Sequence, residues 1–337
     1  MPTLERSVIY ALAFCWFSCS QAIAEDDERF SVSGEFEVFV EAVTQSDDPD
    51  AELRDTSLSL ELEGDMALGE RFGAFFGLTL ESVLDPTRDR VFEDLGLYFD
   101  ELGLFFKAEP ANLSFGKISP AFGSAWDTAP GYFGADFAED YELEEQIGAE
   151  IEIEIGEGTI AVSTFYADNT SLSDSWGTQR GKTRLSDGGA GNTGKLNNVA
   201  AQYTHTFNDT TLHLGARHLS RGFGDLKDEK GYAIGVTQEV NDAIEVIAEA
   251  ARFDGWEGST DSARFATVGL RLVSGPVVVS MAFTQRDVSS SPTDRLFALG
   301  LDYELKNEML LSGGYADKLE GGEGSSNVAF SLTIPLD

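Results

Sequence analysis

From Glu144 to Gly156 the chain alternates: Ile147, Ala149, Ile151, Ile153 and Ile155 fall on one face, and Glu150, Glu152 and Glu154 on the other. A two-residue period is that of a β-strand, in which successive side chains point to opposite sides. Similar runs of roughly ten residues recur along almost the whole chain, and no segment beyond the first two dozen residues is apolar enough for a membrane helix. A soluble sandwich alternates too. The number of runs, their turns and the address of the chain must therefore separate the two.

The address is read first. Residues 1–24 hold Arg6, an apolar stretch from Val8 to Phe17, and Ala22-Ile23-Ala24 before acidic Glu25. That is the layout of a cleavable export signal, so the mature chain is expected at 25–337. Cys15 and Cys19 both lie inside the signal, leaving the mature chain without thiol, disulfide or cysteine metal site. A lipidated Cys19 is disfavoured by bulky Trp16 and Phe17, where a lipobox wants small or aliphatic residues. The first strand begins a few residues after the cleavage site, so no plug domain is expected ahead of it.

Sixteen alternating runs can be placed between residues 30 and 335, among them 91–100, 104–118, 308–317 and 327–335. Short connections such as Gly156-Glu157-Gly158, Asn208-Asp209, Asn241-Asp242, Ser274-Gly275 and Lys306-Asn307 carry tight-turn residues. They alternate with long ones, including 119–143, 169–194 and 318–326. An even strand number with alternating loop lengths is the organisation of an all-β transmembrane antiparallel barrel, with long external loops and short periplasmic turns. Facing agrees from strand to strand. Phe36, Val38, Val40 and Ala42 would meet lipid while Glu35, Glu37 and Glu41 point inward; Leu58, Leu60 and Leu62 oppose Ser57, Ser59, Glu61 and Glu63. Val279, Met281 and Phe283 face out against Ser280, Thr284 and Arg286. A charge on the lipid face at mid-bilayer costs about 2–4 kcal/mol, so this sorting assigns the acids, with Glu150, Glu152 and Glu154, to a wet lumen.

Composition narrows the function. Asp and Glu number 59 against 23 Lys and Arg, a formal charge of -36 that repels nucleic acid and favours cations. Sixteen strands enclose an aqueous channel, whereas eight fill with side chains. The long segment 119–143 carries Trp126, Pro130, Tyr132 and Phe133, too apolar to float in water, and is predicted to fold into the lumen.

In this architecture the chain resembles the Gram-negative outer-membrane porins along its mature length. Phe115-Gly116-Lys117-Ile118-Ser119-Pro120-Ala121-Phe122-Gly123 is similar to the Gly-Lys/Arg and Pro-Phe-Gly pattern after the fifth strand of phosphate-selective and siderophore-porin-like proteins. Ala121 is an insertion in that pattern, the acidic balance is opposite to an anion-selective lining, and the chain ends on Asp337 rather than an aromatic residue. The resemblance implies an outer-membrane location among lipid and lipopolysaccharide, passive passage of small hydrophilic solutes, and a homotrimer. It also implies a constriction with acids on the third loop facing a basic wall. Here the acidic side would be Asp127, Asp136, Glu139 and Asp140, and the basic side Arg217, Arg264, Arg271 and Arg286. The alternative is that the loop acids are solvated and the arginines pair with wall carboxylates.

The expected function is a diffusion channel preferring cations. The runner-up is a solute-specific channel in which loops 119–143 and 169–194 grip one solute. No cofactor is expected, with Ca²⁺ bound by the loop carboxylates at 46–52 and 136–145 as an alternative; no EF-hand spacing is present. His205, His213 and His218 lie on one hairpin but toward opposite rims, and neither Gly-x-Ser-x-Gly nor His-Glu-x-x-His occurs, so no enzyme is expected.

Overall fold

The computed structural model describes residues 29–336; the expected export signal and Asp337 lie outside the described residues. Sixteen strands build one wall: β1 (Phe30–Ser46), β2 (Arg54–Ala67), β3 (Phe72–Ser82), β4 (Leu95–Ala108), β5 (Ala111–Ile118), β6 (Gln146–Ile155), β7 (Gly158–Ala167) and β8 (Asn198–Phe207). They continue as β9 (Thr210–Leu219), β10 (Glu229–Asn241), β11 (Ile244–Asp254), β12 (Ser262–Ser274), β13 (Val277–Val288), β14 (Asp294–Glu304), β15 (Leu310–Glu320) and β16 (Glu323–Leu336). Each pairs antiparallel with its neighbours in sequence, and β1 pairs with both β2 and β16, so the sheet closes. Closure satisfies every strand without an edge, which hydrocarbon demands, and no helix among the described residues is long and apolar enough to span a membrane.

Two short segments repair gaps in the ladder. Above Leu60 the upper part of β2 outruns β3, and Arg90–Val91 folds back to pair in parallel with Asp55 and Thr56. Above Leu102 the upper part of β4 loses β5, because the chain leaves the wall at Ile118; Trp176–Gly177 returns to pair with Leu97 and Gly96. Unpaired backbone groups at a sheet edge are costly or adhesive, so both repairs follow from the strands' unequal lengths.

Two boundaries differ from the sequence expectation. The gap at 101–103 is not a turn. A bulge sets Tyr98 and Glu101 of β4 opposite Thr79 and Gly77, breaking the alternation there, and the chain runs on to turn at Glu109-Pro110. The expected loop 318–326 is a tight turn at Gly321-Gly322, both at positive φ, with β15 extending through Lys318 to Glu320. On β13 facing is as the alternation predicts: Val279, Met281 and Phe283 are exposed on the outer surface, with Ser280, Ala282 and Thr284 buried between them.

Candidate functional site

The third long connection, L3 (119–145), does not leave the barrel. Its apolar side chains pack on the inner face of the wall. Phe122, Ala125, Tyr141 and Leu143 join Phe165, Ala200, Ala233, Phe253 and Phe265 in one cluster, and Phe133 and Phe137 join Ala282, Leu296, Ala298, Ala316 and Ala329 in a second. L3 thus covers the inner face from β7 round to β16. The floor on which it lies is glycine. A Cβ on Gly269 would overlap Pro130, one on Gly300 would lie 2.9 Å from the Cα of Gly131, and one on Gly314 would lie 2.7 Å from the Cβ of Tyr132. Side-chain-free strand positions let the loop backbone approach the wall closely.

Polar latches fix the same path. The buried Glu249 carboxylate on β11 accepts from the Ser124 and Ala125 backbone N–H groups at 2.7 and 3.2 Å, from Ser124 Oγ at 2.8 Å and from Tyr141 Oη at 2.5 Å. Glu150 accepts from the Ala121 N–H at 3.3 Å. At the end of L3, Glu145 is held by Lys117 at 2.6 Å and by both terminal nitrogens of Arg180 at 2.6 and 2.5 Å. Arg180 comes from the next long connection, L4 (168–197), and lies 3.6 Å over the Tyr98 ring.

The sequence-predicted acids and bases meet only in part. Arg286, expected on the basic side, reaches Asp140 at 2.5 Å, and also Asp294 at 2.9 Å and Glu320 at 2.5 Å. Asp136 pairs with Lys318, which the sequence reading placed in a loop and so missed. Asp127 lies half-buried in a short α-helical turn of the loop, Ala125–Thr128. Glu139 is exposed and opens the 3-10 turn Glu139–Tyr141.

Three of the four expected wall arginines do not face these acids. Arg217 is buried beneath L3, bridged to Glu229 at 2.7 Å and sandwiched by the rings of Phe122 and Phe253. Arg271 points inward but lies toward the short-turn end, 3.9 Å from Glu245. Arg264 shares the outward parity of Ala266 and Val268 and is exposed on the outer surface. Here L3 makes the inner wall apolar, so Ala263, Phe265 and Phe253 carry the greasy side chains inward and the usual reading of alternation inverts.

Across the lumen from L3 the wall is acidic. Glu35 sits directly opposite Glu61 and Glu41 directly opposite Asp55 between β1 and β2, with Glu37, Glu63 and Glu81 on the same inner face. Glu152 and Glu154 extend that face down β6 below Glu150. An open recess of about 460 Å³ on this side is bounded by Glu41, Asp55, Glu81, Arg90 and Arg180. Arg90 is neutralised by Asp55 at 2.6 Å. Among the described residues no cluster of three or more His, Asp or Glu is disposed as a metal site. The histidines are scattered: His205 stacks between Tyr203 and Phe207 on the outer face, and His213 meets Thr204 Oγ1 at 3.2 Å.

Comparison with known proteins places this arrangement. The sequence model of the Gram-negative porin family matches residues 10–331. A triple mutant of the Rh. blastica porin is similar in structure, with a TM-score of 0.63 at 14% identity, covering 91% of this chain and 100% of that one. A further Rh. blastica porin mutant gives 0.61 at 13% identity, covering 91% and 100%. The anion-selective porin from Comamonas acidovorans gives 0.61 at 13% identity, covering 91% of this chain and 99% of that one. No curated protein matches in sequence. With a closed sixteen-strand wall, an inward-packed third loop and a family match over nearly its whole length, the chain belongs to the Gram-negative porins, outer-membrane channels for solute diffusion rather than enzymes.

Proposed function

We propose that this porin is a diffusion channel that prefers cations. The observation that carries this reading is that both sides of the passage are acidic in net terms. The wall opposite L3 presents Glu35, Glu37, Glu41, Asp55, Glu61 and Glu81. On the L3 side, Lys318, Arg286 and Arg217 are already matched by Asp136, by Asp140, Asp294 and Glu320, and by Glu229. Carboxylates placed directly opposite one another weaken a sheet. The Glu35–Glu61 and Glu41–Asp55 rungs are therefore a stability cost that a cation-filled lumen offsets, and rings of carboxylates select cations without holding them tightly. The deciding experiment is the reversal potential of the refolded porin in planar bilayers under a KCl gradient. Cation selectivity that weakens in Glu41→Gln and Glu61→Gln supports the reading; anion selectivity overturns it.

A solute-specific channel is the second reading, favoured by one observation. L4 reaches over the mouth to pair Trp176 with Leu97 and to place Arg180 on Tyr98 and Glu145 beside the 460 Å³ recess. Flux that saturates with one solute, and becomes linear in Arg180→Ala, would establish it.

A further inference from the structure

We propose that the outer surface of β10 to β13, just below the long-loop rim, binds one phosphate-bearing acyl lipid of the membrane. Arg252 and Arg264 would take the headgroup, and an alanine-floored trough beneath them an acyl chain. Tyr232, Arg252, Arg264 and Asp287 form one cross-strand rung on the lipid-facing side. The two arginines stand directly opposite each other, a pairing of like charges that weakens a sheet, and the one carboxylate in the rung, Asp287, lies beside Arg264 alone. Both are exposed, and among the described residues neither closes an ion pair or hydrogen bond.

Asp287, opposite Arg264, and Asp254, two residues along β11 from Arg252, lie within electrostatic reach of the arginines, but their hydrogen bonds go to other groups. Asp254 holds Lys227 at 2.7 Å, while Asp287 accepts from Thr293 Oγ1 at 2.6 Å and from Gln285 Nε2 at 2.9 Å. A planar guanidinium matches phosphate through two parallel hydrogen bonds, and two of them side by side suit a single phosphate monoester better than a zwitterionic headgroup.

Directly below the rung the surface is apolar and hollow. Ala250 and Ala266 lie between Ile234 on β10 and Gln285 on β13, and Tyr232 and Ile234 stand proud on one side, 61% and 52% exposed. With the arginines at its head the concavity measures about 530 Å³. The next row down, Val236, Ala248 and Val268, keeps the trough apolar toward mid-membrane. A charged rung above an apolar trough has the polarity of a lipid seated with its headgroup at the rim, where exposed arginines are tolerated.

The test uses the full mature barrel refolded in detergent, with dimyristoyl phosphatidic acid as probe and dimyristoyl phosphatidylcholine as control, read by native mass spectrometry. Heat-modifiable gel mobility reports that each variant is folded. One phosphatidic acid per barrel, retained under activation that strips phosphatidylcholine, is expected. Retention should fall at least tenfold in the Arg252→Gln, Arg264→Gln double variant, and fall again in Ala250→Leu, which fills the trough without changing charge. Equal retention of the two lipids, or retention indifferent to the double variant, overturns the proposal. So does a lipid-free oligomer that dissociates in the double variant, which would make a second copy the occupant.

Discussion

Glu249 and Ser124 are joined twice, the carboxylate accepting from the Ser124 backbone N–H at 2.7 Å and from its hydroxyl at 2.8 Å. With Ala125 and Tyr141 added, four donors converge on one buried carboxylate at the point where L3 meets β11. Hydrogen bonds to a charged group contribute about 1.5–3 kcal/mol each, and each buried donor left unsatisfied costs about 1–3 kcal/mol. Glu249→Ala is therefore expected to release L3 while the strand ladders persist. The measurements are single-channel noise, which rises, and cleavage at Glu139, Glu142 and Glu144 by a glutamate-specific protease, which accelerates. Glu249→Gln keeps the shape and part of the acceptor capacity and should lie between; a quiet, protease-resistant Glu249→Ala would show that apolar packing alone holds the loop.

Arg286 gathers Asp140, Asp294 and Glu320. Replacing it by Gln leaves three carboxylates facing the lumen without their cation. One additional unit charge about 4 Å from a passing ion is worth about 1 kcal/mol in water, or roughly a fivefold change in local cation occupancy. The reversal potential of Arg286→Gln should move toward stronger cation preference, and raised salt should shrink the difference. Movement toward anions would contradict the placement of these acids on the ion path.

The strand content of this fold was legible because lipid outside and water inside enforce alternation; the exceptions are where that contrast fails. At Phe99 and Asp100 a bulge shifts the parity, and Gly103, read as part of a turn, instead lies opposite Phe75 inside the β3–β4 ladder. Under L3 the inner wall is as apolar as the outer, so Phe265 and Arg264 carried the opposite of the usual signal and Arg264 was assigned to the lumen. Lys318 was lost with the end of β15, since Gly321-Gly322 and the acids around them look like a long loop. Glu249 alternates as any luminal acid does. Only the loop it receives distinguishes it, and that contact is 125 residues away in sequence.

The loop acids predict a pH response. Burial, followed by repulsion from Asp136 and Glu144, pushes the Glu139 carboxyl up to about 7, although the residue keeps a surface open to water. Asp136 and Asp140 are also raised, chiefly by burial, with Lys318 and Arg286 opposing the shift. An ordinary Glu, near 4.3, stays charged throughout the neutral range. Glu139 instead loses its charge as pH falls through about 7, so cation preference should decline between pH 8 and 6 and recover on return. The same sign makes the docked loop more stable on the acidic side, because the raised group binds its proton more tightly when L3 is in place. Reversal potentials across this range test the point, and Glu139→Gln should flatten most of the dependence. An unchanged slope in that variant would move the titration to the coupled pair Glu142 and Glu144, both also raised by burial first.

The glycine floor gives a separate handle on the loop, independent of charge. Gly300 admits the Cα of Gly131 so closely that an added Cβ would lie 2.9 Å from it, and Gly269 leaves no room for a methyl beneath Pro130. Alanine is compatible with a strand interior, so neither Gly269→Ala nor Gly300→Ala should open the barrel. For Gly269→Ala the strain falls on Pro130 of L3; for Gly300→Ala it is shared between Gly131 of L3 and the Ser280 hydroxyl on β13, which a rotamer change can move aside, and overpacking costs about 1–3 kcal/mol. The double variant should lift the middle of the loop and raise single-channel conductance, with cation preference weakened as Asp136 and Asp140 leave Lys318 and Arg286. Gly313, on the outward face of β15, is the matched control: an added Cβ there meets nothing closer than 3.6 Å, so Gly313→Ala should conduct as the unmodified porin does. Conductance that is the same in the double variant and the control would mean that L3 does not set the width of the passage.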